Sequence, residues 1–113
     1  MSTTRDPTTD LPLPMPTTGP ALWPLVIADA ERLPDSAGLI ADMRARHELG
    51  QRKYGQPLQA HNGRNALRDL YDELLDAVVY ARQCVEEGHG LVVLYARLLD
   101  QAAQVQMMIS NPG

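Results

Sequence analysis

The chain has 113 residues, a formal net charge of −4, one cysteine and no block of basic residues. That length suits one small domain, and the charge disfavours nucleic acid as a partner, because neutralising phosphates takes a basic footprint. A lone Cys84 excludes an intrachain disulfide. No apolar run nears the ~20 residues of a membrane span, and no signal-peptide pattern opens the chain, so the expectation is a soluble cytoplasmic protein without membrane contact.

Phenylalanine is absent and tryptophan occurs once, so the core must rest on Leu, Val, Ile, Met and Ala. That palette suits helices packed on helices. Residues 1–20, MSTTRDPTTDLPLPMPTTGP, hold five of the nine prolines. Such a segment has little to bury and predicts a disordered Pro/Thr-rich arm ahead of an all-α domain over residues 21–113. In ALWPLVIADAERLPDS, Pro24 suits a helix's first turn and Pro34 ends it. Trp23 there either anchors the helix on the core or covers a ligand ring.

A second helix begins near Asp35 or Ser36 as cap and runs through LIADMRARHELGQRKYG. Leu39, Ile40, Met43 and His47 follow a helical period and predict its buried stripe. Gly50 weakens the helix, and Gly55 with Pro57 ends it. The loop QPLQAHNGRN contains Asn62-Gly63, a tight-turn signal. Asn65 caps the third and longest helix, which stops at Gly88-His89-Gly90. Leu67, Leu70, Leu74, Leu75, Val78 and Ala81 are its expected packing surface. The last helix carries Leu91, Leu94, Leu98, Val105 and Met108 near a heptad-like seam that favours helix association.

The third helix opens with DLYDELLDAVVY, where Asp69, Asp72, Glu73 and Asp76 recur at spacings of three and four. Those spacings stack like charges along one side of a helix. Two readings follow. In one the stripe is a solvated face, balanced by Arg64 and Arg68 near the helix start. In the other it holds a hard divalent cation, for which carboxylates supply both donor atom and charge. Glu48, in HELGQ, is the candidate ligand from the preceding helix. The loop between the two helices adds Arg52, Lys53, Tyr54, Asn62 and Arg64, and cations beside acids suit a polyphosphate bound through metal and side chains. No GxxxxGK[ST] loop is present to cradle phosphate with backbone. Equally, KYG is a helix end closed by a tyrosine.

Over residues 36–85, HELGQRKYG, NGR and DLYDELLDAVVYARQ resemble the small phage members of the MazG-like all-α nucleotide pyrophosphohydrolase superfamily, of the dATP/dGTP (MazZ-like) type. The superfamily's ExxD metal motif is matched by Glu73 and Asp76. Its usual ExxE on the preceding helix is matched by Glu48, whereas Gln51 stands in the second acidic position. The resemblance implies a helical bundle completed as a homodimer or homotetramer. It implies Mg2+ or Mn2+ on Glu48, Glu73 and Asp76, and cleavage of a deoxynucleoside triphosphate between its α and β phosphates. It further implies Lys53 and Arg64 on the departing pyrophosphate, with Tyr54 and Asn62 contacting substrate. The preferred triphosphate is dGTP, with dATP the alternative, in phage purine metabolism linked to 2-aminoadenine DNA. A different class of function is a non-catalytic helical adaptor, which would use the last helix and the proline-rich arm to hold a partner.

Overall fold

The computed structural model describes residues 13–111, and every regular element among them is an α-helix. These are α1 (Leu22–Ala30), α2 (Ala37–Tyr54), α3 (Ala66–Glu86) and α4 (Val92–Ser110). The described chain is therefore all-α, as its apolar palette predicts. No described helix is long and apolar enough to cross a membrane. The chain divides between Arg64 and Asn65 into two compact units.

In the first unit α1 packs on α2. Pro24 lies in the first turn of α1, where its missing N–H is one the helix leaves unbonded anyway. The helix ends at Ala30, four residues ahead of Pro34, and closes through Glu31 N–H donating to Ile27 C=O at 3.0 Å and Leu33 N–H donating to Ala30 C=O at 3.0 Å. Asp35 then takes a left-handed φ of 54°, which aspartate tolerates better than most residues. Ser36 holds the cap position of α2 without a side-chain cap bond. The core of this unit is Ile27, Ala30 and Ile40, with Trp23 and Met43 packed against it. Leu39, expected in the buried stripe, is 44% exposed. The helix runs through Gly50 and stops at Gly55, whose φ of 71° is the left-handed conformation that terminates many helices.

Of the proline-rich stretch, residues 1–12 lie outside the described residues. Its remainder pairs with the loop after α2. Met15 N–H donates to Asn62 C=O at 2.8 Å, Ala60 N–H to Pro20 C=O at 3.0 Å, and Leu22 N–H to Leu58 C=O at 2.8 Å. The Gln59 amide donates to the carbonyls of Thr17 at 2.8 Å and Gly19 at 3.2 Å. Backbone groups in non-helical chain must find partners somewhere; here two irregular segments satisfy each other. The approach is close enough that a Cβ on Gly19 would strike the Ala60 carbonyl.

The second unit is the pair α3 and α4, joined by residues 87–91. Asn65 caps α3 as its sequence signals, its side-chain oxygen accepting from Arg68 N–H at 3.1 Å. On α3 the less exposed positions include the apolar and aromatic series Leu67, Tyr71, Leu74, Val78, Ala81 and Val85, with Asp69, Asp72, Ala77 and Cys84 beside it; on α4 they are Tyr95, Leu98, Ala102, Val105 and Ile109. Both series alternate spacings of three and four, the rhythm of helices packed knobs-into-holes. Ala81 and Ala102 are the buried members, and small residues let helix backbones come close. Leu98 and Val105 belong to this seam as expected. Leu70, Leu75, Leu91, Leu94 and Met108 instead lie exposed, between 37% and 57%, Leu91 as the cap residue ahead of α4.

Candidate functional site

In the first unit the site begins with a mismatch of lengths. At ~1.5 Å rise per residue, α1 reaches along only about half of α2. Ile40 and Met43, in the N-terminal half of α2, meet α1 in the core. Beyond them the C-terminal half of α2 borders a cleft of about 340 Å3. Trp23 from α1 and Pro14 from the arm form walls, Pro57 and Leu58 from the loop form another, and α2 contributes its turns from Arg46 to Tyr54.

Two of the expected substrate residues, Lys53 and Tyr54, line this cleft. Lys53 Nζ lies 5.2 Å from the centre of the Tyr54 ring, a cation–π distance. Glu48 is exposed and is not among the lining residues. Helix phase gives the reason: at 3.6 residues per turn, Arg46, Gly50 and Lys53 project about 140–160° round the axis from Glu48. The same helix thus offers a carboxylate to one side and a cation and an aromatic ring to the other.

Asn62 is buried, at 9% exposure. Its side-chain oxygen accepts from Arg64 N–H at 3.2 Å, closing a local turn, while its carbonyl accepts from Met15. His61 and Gly63 on either side have φ of 58° and 86°; the turn expected at Asn62-Gly63 forms, with the left-handed non-glycine residue at His61 and not at Asn62. Asn62 therefore shapes the loop that carries Arg64. Two residues that sequence reasoning missed line the cleft: Gln56, and His47, which was expected only as part of a buried stripe. Both His47 Nδ1 and Gln56 Nε2 are buried with no hydrogen-bond partner among the described residues. No spacing rule marks them, because burial of a single side-chain nitrogen is set by tertiary packing and not by local sequence.

In the second unit α3 carries the acidic stripe. Asp72 pairs with Arg68, Nε to Oδ1 at 3.5 Å, one turn apart, and the Arg68 guanidinium also lies 5.4 Å from the Tyr71 ring centre. Asp69 is engaged as well. Glu73 and Asp76 are exposed, one turn apart, and neither joins an ion pair among the described residues. The stripe is thus of two kinds, matched acids toward the helix start and unmatched ones after them. Among the described residues no three His, Cys, Asp or Glu side chains cluster as a ready-made cation cage. Magnesium does not require one: it is commonly held by one or two carboxylates with water and substrate phosphates completing its shell. Glu73 and Asp76 fit that donor chemistry.

No family model matches the chain, and neither a curated protein nor a solved structure matches it.

Proposed function

We propose that the protein is a metal-dependent nucleoside triphosphate pyrophosphohydrolase of the MazG-like kind, acting on dGTP, with dATP as the second candidate. The observation that carries this reading is the pair Glu73 and Asp76, exposed one turn apart on α3 and unmatched by any cation among the described residues, where the adjoining Asp72 is matched by Arg68. Support also comes from the motif string HELGQRKYG, NGR and DLYDELLDAVVYARQ.

In this reading Glu73 and Asp76 hold Mg2+ or Mn2+, with Glu48 as base or additional ligand. The ion, when bound, supplies Lewis-acid polarisation of the α-phosphate and a more acidic water. Glu48 takes a proton from the attacking water. The water oxygen bonds to the α-phosphorus, the bond from that phosphorus to the α,β-bridging oxygen breaks, and pyrophosphate leaves with that oxygen. Lys53 and Arg64 neutralise its charge, Tyr54 contacts the rest of the nucleotide, and Asn62 acts through the loop that carries Arg64. The product dGMP would feed purine metabolism of a phage with 2-aminoadenine DNA, in the cytoplasm of its host.

The functional assembly is proposed as a homodimer or homotetramer. Val92, Leu99 and Met107 on α4 are 59%, 44% and 61% exposed and repeat near a heptad outside the α3 seam, a surface that a second copy would cover. The same surface favours the second reading, a non-catalytic adaptor. A panel of ribo- and deoxynucleoside triphosphates, assayed for monophosphate and pyrophosphate with and without Mn2+, separates them. Hydrolysis lost in Glu73→Ala and Asp76→Ala is the expected outcome. Protein loaded with manganese that turns over none of the panel would sink the enzymatic reading and leave the adaptor.

A further inference from the structure

We infer that two copies of the chain pair α4 against α4 about a two-fold axis, antiparallel, with Arg97 of each copy meeting the partner's Asp100. The inference rests on the homo-oligomeric assembly proposed above and adds its direction, register and polar contacts. It does not depend on hydrolysis.

Outside its seam with α3, α4 carries a second apolar stripe of Val92, Ala96, Leu99, Ala103 and Met107, all exposed. The spacings of four, three, four and four follow the rhythm of paired helices. At 3.6 residues per turn the stripe centres about 120° round the helix from the α3 seam. A shallow groove runs along it. Ala96 and Ala103 add little bulk there, so a second backbone can come close.

Charge decides what covers the stripe. Arg97 and Asp100 are the charged residues of α4, and both are exposed. They stand on the flank of the stripe that faces away from α3; the opposite flank presents Tyr95, Ala102 and Gln106. Neither Arg97 nor Asp100 joins an ion pair among the described residues. If two such helices paired in parallel, unlike flanks would meet, and both charges would face uncharged residues. About a two-fold axis perpendicular to the helices, like flanks meet and every contact is made twice.

Register then follows from the stripe. With the axis beside Leu99, that residue meets its own copy. Val92, Ala96 and Arg97 each fall within about one residue, ~1.5 Å along the helix, of the partner's Met107, Ala103 and Asp100. Small residues thus oppose small ones, and each cation opposes an acid. A face complementary to itself in this way suits a second copy, and an unrelated partner has no need of it. One helix face lies at the small end of specific interfaces, below ~1,200 Å2, so a dissociation constant of about 1–100 μM is expected.

Sedimentation velocity of the full chain across that concentration range tests the pairing. Arg97→Asp makes the flank wholly acidic and Asp100→Arg wholly basic, and each should weaken self-association at least about tenfold. Mixing the two variants should restore pairing, as should the double swap Arg97→Asp/Asp100→Arg. That rescue separates the contact from any loss of fold. Direction is read from cysteines placed in a Cys84→Ser background. Leu99→Cys should cross-link the dimer on oxidation. Val92→Cys should not, because antiparallel pairing holds the two copies of that position ~21 Å apart along the helix.

A chain that stays monomeric across the range overturns the inference, as do charge variants that associate like the parent. Cross-linking through Val92→Cys as readily as through Leu99→Cys overturns it too, since only parallel pairing allows both. A dimer without triphosphate hydrolysis would remove only the enzymatic reading; hydrolysis by a monomer would remove only this one.

Discussion

The two units use apolar residues in different ways. In the unit of α3 and α4, alternating spacings of three and four repeat on both helices, so each turn of one finds a matching turn of the other. Such a seam satisfies its own helices along their whole length and leaves the outer surfaces to polar or unpaired chemistry. In the unit of α1 and α2, three buried residues form the core, and α1 is half as long as its partner. The uncovered half of α2 becomes the wall of a cleft, closed by a loop and a proline-rich segment that hold each other by backbone bonds. Regular packing here yields a surface, and irregular packing yields a concavity.

Substitutions break that contrast in graded steps. Ala102→Asp places an uncompensated charge in the α3–α4 seam, where Ala102 is 7% exposed, and should cost about 3–5 kcal/mol. Loss of the cooperative thermal transition in far-UV circular dichroism would register it. Ile40→Ala removes most of a side chain from the small core of the other unit and should cost about 3 kcal/mol. Urea titration followed by Trp23 emission measures that, because Trp23 packs against the same cluster. Next come the two helix starts. Asn65→Ala loses a side-chain cap and should cost about 1 kcal/mol, whereas Ser36→Ala, with no cap bond to lose, should fall within about 0.5 kcal/mol. Equal effects in chemical denaturation would show that the caps do not differ as described. Smallest is Arg68→Ala, which frees Asp72 and should shift stability by about 0.3–0.5 kcal/mol at low salt. Repeating the melt at high salt should erase the shift.

Much of this was legible in the chain, and the gaps have physical causes. Asn65 and Gly55 announced a helix start and a helix stop because capping chemistry is local. The membership of Leu98 and Val105 in a heptad seam was legible too. Which neighbours accompany them was not, because α4 is apolar on more than one side: Leu94 and Met108 suit the pattern as well as Tyr95 and Ala102 do. Only the partner helix selects the phase. Leu39, Leu70 and Leu75 show the same limit, since a leucine at a helical period reports what it can pack against, not whether anything is there. Glu73 and Asp76 stood out as a pair by spacing, but their difference from Asp72 needed the position of Arg68. The cleft was invisible for a stronger reason. It joins residues 14, 23, 47 and 56, and no local pattern connects them.

The bonds between Gln59 and the stretch around Thr17 bridge 42 positions of sequence. During synthesis, at about 5–20 residues per second, roughly 2–8 s separate the making of the two partners. Through that interval the segment from Met15 to Ala21 has no loop to pair with, and Trp23 has no completed wall opposite it. The contact is also made after paying to close a long loop, a cost that grows only slowly with length. The second unit has no such wait, since its helices are neighbours in sequence and can zip as they emerge. In time as well as in space, the cleft is the last part of its unit to close.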